Sequence, residues 1–338
     1  MNVRVWYRKM RKRIENKAIV LMYHRVADLL IDPFELSVST ANFEKQVYLL
    51  KKNYNVLSTE EIVYNLKKGK VTPNAVCLTF DDGYSDNYIN ALPVLEKYKC
   101  QATFYITTGL VGKPQLYWWD ELQYIFLHTP ILPKKLEIDI NGELIEEDLQ
   151  NNGVLLASDW FRSRSWLFED IPPTQRCSLF KNIWAKLKPL PHEEQRCVLK
   201  KLKTWANLPP FFGTDFFPMT NEQLKEVSKN PLISLGIHTH THPSLALCDN
   251  DTQNNEIVDC KNYLQDFKTH TIPTISYPFG EFNDQTLAIA KKEQLMGGFT
   301  TNEQFVTKRT DPLCIGRFQV KNWSEGELEQ HIKCWLKK

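Results

Sequence analysis

No apolar run in this 338-residue sequence approaches the ~18–20 residues needed to cross a bilayer. Charge of one sign is nearly absent as well: 42 Lys+Arg against 40 Asp+Glu leave a formal +2. That is too little to gather nucleic acid, which is not expected as a partner. There are eight cysteines but no Cys-x-x-Cys, so nothing suggests a zinc ribbon or thioredoxin-type redox chemistry. No internal repeat and no low-complexity tract is present. Apolar residues at 42% and charged residues at 24% are ordinary for a globular chain, and exclude collagen, coiled coil and wholesale disorder.

The length suits two domains of ~150 residues, or one α/β barrel of ~200–250 residues with additions. Such a chain buries enough surface to need no covalent staple. The dispersed cysteines therefore read as free thiols in a reducing compartment, with Cys77 a small buried hydrophobe between Val76 and Leu78. Residues 1–17 are basic, and no apolar signal core follows them, since Ala18–Tyr23 is too short. A cytoplasmic location is expected. Arg4, Arg8, Lys9, Arg11, Lys12 and Arg13 lie among Val3, Val5, Trp6 and Tyr7. That pattern suits a peripheral contact with an anionic membrane face. It equally suits a solvated, loose terminus, the commoner case.

Short apolar runs alternate with helix-period segments. Strands are expected at 18–23, 75–80, 102–107, 233–237, 272–277, 298–300 and 315–320. Helices are expected at 40–52, 58–66, 87–98, 120–127, 220–228, 251–267, 283–292 and 324–336. Ser58 with Glu61 makes a capping box, and Pro93 should interrupt or shift its helix. Alternation of this kind predicts a parallel α/β core. Residues 130–215 break the pattern with eight prolines and two plausible helices, 174–187 and 192–206. They are expected to form a largely helical insertion or lid on a domain spanning 18–338.

Two motifs carry chemistry. Asp81-Asp82-Gly83 follows the apolar strand ending at Phe80, and His238-Thr239-His240-Thr241-His242 follows the strand ending at Ile237. Strand ends are where catalytic groups collect in barrel-like α/β folds. Adjacent aspartates point in different directions, so one can hold a metal while the other takes a proton. Read alone, Asp81-Asp82-Gly83 is equally a simple turn. Three histidines in five positions, with a carboxylate pair at another strand end, favour a two-His-one-carboxylate metal site. His240 is expected not to be a ligand.

These motifs, with Tyr23-His24 and Tyr277-Pro278-Phe279-Gly280, resemble the polysaccharide deacetylases (carbohydrate esterase family 4, NodB homology). The resemblance covers roughly 18–130 and 215–325 and leaves the middle segment outside. It implies a distorted (β/α)7-type barrel. It implies Asp82, His238 and His242 as ligands of Zn2+, or of Co2+, Ni2+ or Mn2+. It implies Asp81 as the general base and the Phe279 N–H as an oxyanion donor. The match is incomplete. Chitin- and peptidoglycan-type members begin the third motif with arginine, where this chain has Ser276. Their C-terminal Leu-x-x-His is missing, since His331 lies in a different pattern. The Tyr-His start is more like the branch acting on poly-N-acetylglucosamine, which makes His24 the candidate general acid.

Tyr84, Trp119, Tyr277 and Arg317 are candidate substrate contacts. Trp119 belongs to Tyr117-Trp118-Trp119-Asp120, which reads as a sugar-facing wall or as core packing. The expected partner is a carbohydrate bearing N-acetyl groups, and the expected reaction is hydrolysis of that amide. Two other readings stand beside it: hydrolysis of another small amide such as a formyl group on a lipid- or nucleotide-linked sugar, and a non-catalytic scaffold in a polysaccharide assembly complex.

Overall fold

The computed structural model describes residues 16–209, 217–267 and 271–337. In chain order its strands are β1 (Ala18–Tyr23), β2 (Arg25–Val26), β3 (Ser37–Val38), β4 (Asn55–Val56), β5 (Ala75–Phe80), β6 (Ala102–Ile106), β7 (Lys135–Ile140), β8 (Glu143–Asp148), β9 (Ile233–Ile237), β10 (Thr271–Ser276), β11 (Gly297–Phe299) and β12 (Phe318–Gln319). The main sheet runs β11-β10-β9-β6-β5-β1-β12, with short β4 also on β5. Every pairing within it is parallel. Parallel neighbours need crossovers, which the intervening helices supply.

β1 and β5 are buried along their whole length and are apolar apart from Thr79, whose hydroxyl donates to the Leu21 carbonyl at 2.8 Å. Alternate residues still sort to two faces. Ile19, Leu21, Tyr23, Leu78, Phe80 and Phe104 pack outward on helix residues such as Phe43, Val47 and Leu328. Ala18, Val20, Ala75, Cys77 and Tyr105 form the other cluster, with Phe299 and Ile315. Ile315 bridges to Phe299 of β11, while Phe318–Gln319 pairs with β1. Residues 315–319 therefore touch both edges, and the parallel sheet expected from the alternation curls into the distorted barrel that the resemblance implies. Its path has seven strands, with β4 beside it.

Local signals explain the helices that flank it. Ser58 accepts from the Glu61 N–H, and Glu61 returns the bond, which starts the helix Thr59–Lys67. Pro93 shifts its helix rather than ending it. A π turn over Asn87–Ala91 leads into an α-helix over Leu92–Lys97, with Pro93 in its first turn, where a missing N–H costs least.

The middle segment departs from expectation in one respect. Its helices Gln175–Leu187 and His192–Trp205 lie where predicted, with a short helix at Ala157–Arg164. It also contains the antiparallel hairpin β7–β8. The turn is Asn141-Gly142, both with positive φ, the conformation that matches strand twist in a two-residue loop. Leu136, Ile138 and Ile140 alternate inward. They join a second core with Phe180, Leu199 and the helix Trp118–Gln123, which continues as a π turn through His128. This core joins the insertion to the barrel through that helix.

Arg176 ties the insertion together. It is buried, and its guanidinium donates to the carbonyls of Phe126, Thr129, Asn152 and Gly153 at 2.7–3.3 Å. Burial lowers its pKa to about 10. All eight cysteines are free, and no helix among the described residues is long and apolar enough to cross a membrane. The basic segment considered for membrane contact lies outside the described residues, except for its last two positions.

Removing the Arg176 guanidinium strands several buried carbonyls at once. Arg176→Met should lower the unfolding free energy by about 3 kcal/mol, read as a fall in urea midpoint. An unchanged midpoint would mean that these carbonyls find other donors.

Candidate metal centre and active site

Because the strands are parallel, their C-terminal ends converge on one end of the barrel. His24 follows β1, Asp81 and Asp82 follow β5, His238 follows β9, Ser276 ends β10, and Arg317 precedes β12. The backbone there is unusual. Asp82, Thr239, His242 and Phe279 all have φ between 57° and 72°, a region that side chains with a Cβ rarely adopt. Gly83 follows at φ +77°, where a Cβ would stand 2.9 Å from Ile106 Cδ1. Seven other non-glycine residues among those described also have positive φ, but these four gather at one end of the barrel, as strained backbone at functional sites does.

The two histidines are brought together by a folded-back loop. The His242 N–H donates to Thr239 Oγ1 at 3.0 Å. The buried Glu256 carboxylate accepts the N–H groups of His240 and Thr241 at 2.8 and 2.7 Å, and the Thr241 hydroxyl at 2.5 Å. This places His238 Nε2 and His242 Nε2 each 3.3 Å from Asp82 Oδ1. The His238 Nδ1 lies 2.8 Å from the Ser276 carbonyl. A carbonyl can only accept, so Nδ1 carries the proton and Nε2 presents its lone pair. His240 turns aside, with its Nδ1 3.2 Å from Thr108 Oγ1.

The donor set fits a divalent ion. Three ligand atoms lie within 4.8 Å of one another, all on buried residues. Asp82 Oδ1 is buried and receives no well-aligned hydrogen bond. Burial would raise the Asp82 pKa, but the two imidazoles hold it far below the usual carboxylate range. Burial would lower His238, but Asp81 and Asp82 carry it above its ordinary value. For His242 burial prevails over Asp82, and its pKa falls. Two imidazoles and one carboxylate, open on one side to a cleft, suit zinc and related ions.

Asp81 has a different partner. Arg317 grips it with two bonds of 2.8 and 2.6 Å, and Ser276 Oγ donates at 2.9 Å. Arg317 also reaches Ser276 Oγ, Thr79 Oγ1 and the Thr300 carbonyl. Burial acts to raise the Asp81 pKa, yet Arg317 and His238 bring it down to about 2.

A cleft of ≈ 770 Å³ opens above these groups, lined among others by His24, Asp81, Asp82, Trp119, His238, His242 and Phe279. Trp119 stands 4.7 Å from the His242 ring, and Phe279 flanks it at 4.8 Å. His24 Nδ1 is buried without a partner. Burial lowers its pKa, while Asp82 and Asp81 oppose the shift.

Three expected substrate contacts are corrected. Tyr84 is fully buried, donating to Asp120 Oδ2 at 2.8 Å and accepting from Trp119 Nε1 at 2.9 Å. Tyr277 is fully buried, with its hydroxyl on the Leu313 carbonyl at 3.0 Å. Arg317 has no exposed surface and is spent on Asp81. None of the three lines the cleft. Of the Tyr117–Asp120 stretch only Trp119 faces it, because Tyr117 donates to the Asp82 carbonyl and Trp118 packs inward. The positioning roles of Arg317, Ser276 and Glu256 were not anticipated. The resemblance offered one signal, since its chitin- and peptidoglycan-type members carry an arginine where this chain has Ser276.

A sequence profile of the "Polysaccharide deacetylase" family matches residues 68–128 and 198–297, skipping most of the insertion. The chain is 26% identical over 334 residues to a poly-beta-1,6-N-acetyl-D-glucosamine N-deacetylase of Staphylococcus aureus (strain MRSA252), covering 95% of this chain and 83% of that one. It is 25% identical to the Staphylococcus epidermidis protein of the same name, over 95% and 84%. Among solved structures it resembles IcaB from Ammonifex degensii (TM-score 0.58, 17% identity, 96% and 98% covered). It also resembles Streptococcus pyogenes deacetylase PplD in complex with acetate (TM-score 0.54, 23% identity, 94% and 98% covered).

The depressed Asp81 pKa sets a sign for stability against pH. The Asp81–Arg317 pair contributes fully above the unfolded carboxylate value of ~3.9 and is lost as pH falls toward about 2. Arg317→Met should lower stability at pH 7 by about 3–5 kcal/mol and flatten the dependence between those limits. Denaturation midpoints measured from pH 2 to 7 in both proteins test this. A variant with wild-type stability at pH 7 would refute the pairing.

Proposed function

We propose that the chain is a polysaccharide deacetylase, a reading its similarity to that family supports, and that it removes N-acetyl groups from an amino sugar of a polysaccharide or its biosynthetic precursor. One observation carries the reading: neighbouring carboxylates on the floor of the cleft, one bound to an arginine and the other facing two imidazoles. That is a division of labour between proton acceptor and metal ligand.

A divalent ion held by Asp82, His238 and His242 supplies Lewis acidity, which polarises an amide carbonyl and acidifies water. The remaining work falls to the chain. Asp81 is the proton acceptor for the attacking water. Arg317 and Ser276 hold its carboxylate in one orientation. With a pKa near 2 it is a weak base, which releases its proton readily for transfer onward. The Phe279 N–H is assigned to the developing oxyanion. His24, beside the carboxylates and in the same cleft, is assigned the proton that the departing amine needs. Trp119 and Phe279 narrow the cleft around His242, which restricts the water around the amide. The products are acetate and a free amino sugar. We place the reaction in the cytoplasm, with membrane contact through residues 1–17 as part of the same proposal.

Asp81→Asn keeps shape and removes basicity. Acetate release from an N-acetylglucosamine oligomer should fall ~10²–10⁴-fold, while bound zinc stays at one per chain. Full activity in this variant would end the assignment of Asp81. Release of formate but not acetate from matched substrates would move the activity to another acyl group.

A further inference from the structure

The insertion carries none of the hydrolytic groups, yet it reaches the peptide assigned to the oxyanion. Phe279 holds φ 57° and ψ 6°, a left-handed conformation that a residue with a Cβ keeps only where its surroundings enforce it. Local bonds shape the turn. The Gly280 N–H donates to the Tyr277 carbonyl at 2.8 Å, and the Glu281 N–H donates to the Pro278 carbonyl at 3.0 Å. Thr301 Oγ1 donates to the Phe279 carbonyl at 3.3 Å. The Phe279 ring packs against the core that the insertion shares. Trp184, on the insertion helix Gln175–Leu187, stands 6.3 Å from it, and Lys188 Nζ lies 4.7 Å from its centre.

Lys188 caps the C-terminal end of that helix, where a cation is favoured. Its ammonium donates to Glu281 Oε1 at 2.6 Å. The other Glu281 oxygen accepts the Ser244 hydroxyl. Ser244 is buried and lies two residues beyond the ligand His242. One carboxylate thus joins three segments: the insertion helix, the turn of Phe279 and the loop of His242. Both of its oxygens are engaged, which gives the Glu281 side chain one orientation. The ion pair is partly exposed, at 22% for Lys188 and 38% for Glu281, so it adds little to global stability. Its effect is local, because it sets where the Phe279 turn stands against the histidine loop.

We propose that Lys188 and Glu281 are positioning residues, through which the insertion holds the Phe279 N–H at the point where the oxyanion forms. This inference rests on the deacetylase reading, and its test separates the two. An oxyanion donor acts only once the tetrahedral centre forms, so a misplaced donor lowers kcat and leaves KM. Lys188 also lines the cleft. A lysine that only touched substrate would do the reverse, raising KM and sparing kcat. Acetate release from an N-acetylglucosamine oligomer is measured for the wild type, Lys188→Met, Lys188→Arg, Glu281→Gln and the double variant of Lys188→Met with Glu281→Gln. Amide hydrogen exchange over residues 277–283 is followed separately by mass spectrometry on zinc-loaded protein. The bonded Gly280 and Glu281 N–H groups report the turn there without any substrate.

Lys188→Met and Glu281→Gln should each lower kcat about tenfold with little change in KM, a fraction of the ~10²–10³-fold that a whole oxyanion donor supplies. The double variant should lose no more than the worse single one, because both act through one contact. Lys188→Arg keeps the cation and should restore most of kcat. Zinc should stay at one per chain, while exchange over 277–283 quickens about tenfold in Lys188→Met. An unchanged kcat, with or without a raised KM, overturns the proposal, as do additive losses in the double variant. If Lys188→Met does not fold, Glu281→Gln is read the same way. If the wild type yields no acetate, the deacetylase reading fails. Exchange then decides whether the insertion holds the turn: faster exchange in Lys188→Met supports it, and equal exchange in both proteins overturns it.

Discussion

Two adjacent carboxylates can be buried at the end of one strand only if each has its own positive partner. Asp81 and Asp82 are both under 4% exposed. Unpaired, either would be neutralised by a raised pKa. The fold separates them by turning the chain at Asp82 into the left-handed region. Asp81 then faces Arg317, and Asp82 faces His238 and His242. The remainder of the site follows from that separation. The curled sheet brings Arg317 round from the closing edge, and Ser276 at the end of β10 touches both sides, bonding Asp81 through its hydroxyl and His238 through its carbonyl.

Successive supports keep this arrangement from relaxing. Glu256, on the helix Asn250–Gln265, clamps the histidine loop from behind. Tyr117 fixes the Asp82 peptide. Tyr84 accepts a hydrogen bond from the Trp119 indole N–H and donates its own hydroxyl to Asp120. Burial raises the Asp120 carboxyl to about 7 against the opposing pull of Arg25, so it is only partly ionised at neutral pH. The insertion then adds the outer wall of the cleft, which the barrel alone would leave open at Phe34.

Much of this was legible in the sequence for a physical reason. Apolar runs that end in Asp81-Asp82-Gly83 or His238–His242 state both the strand and the chemistry at its end. The Ser58–Glu61 box marks a helix start through reciprocal local bonds. Other features depend on which way a side chain points. Tyr84 and Tyr277 sit within or beside the motifs, and as amphipathic residues they suit a substrate face equally well. Only the packed structure shows their hydroxyls bound to Asp120 and to the Leu313 carbonyl. Arg317 is a long-range partner of Asp81, 236 positions away, and no local pattern encodes such a pair. The β7–β8 hairpin is another matter. Asn141-Gly142 between alternating Leu136, Ile138 and Ile140 is a strong local signal, masked by reading the proline-rich segment as helical.

The account stands on Asp82, His238 and His242 forming one metal centre. X-ray absorption on zinc-reconstituted protein tests that directly, because eight free cysteines offer a rival set of ligands. The account predicts one zinc per chain with two imidazole nitrogens and oxygen donors at roughly 2.0–2.2 Å. Sulfur scattering at about 2.3 Å, or failure to bind zinc stoichiometrically, would contradict it.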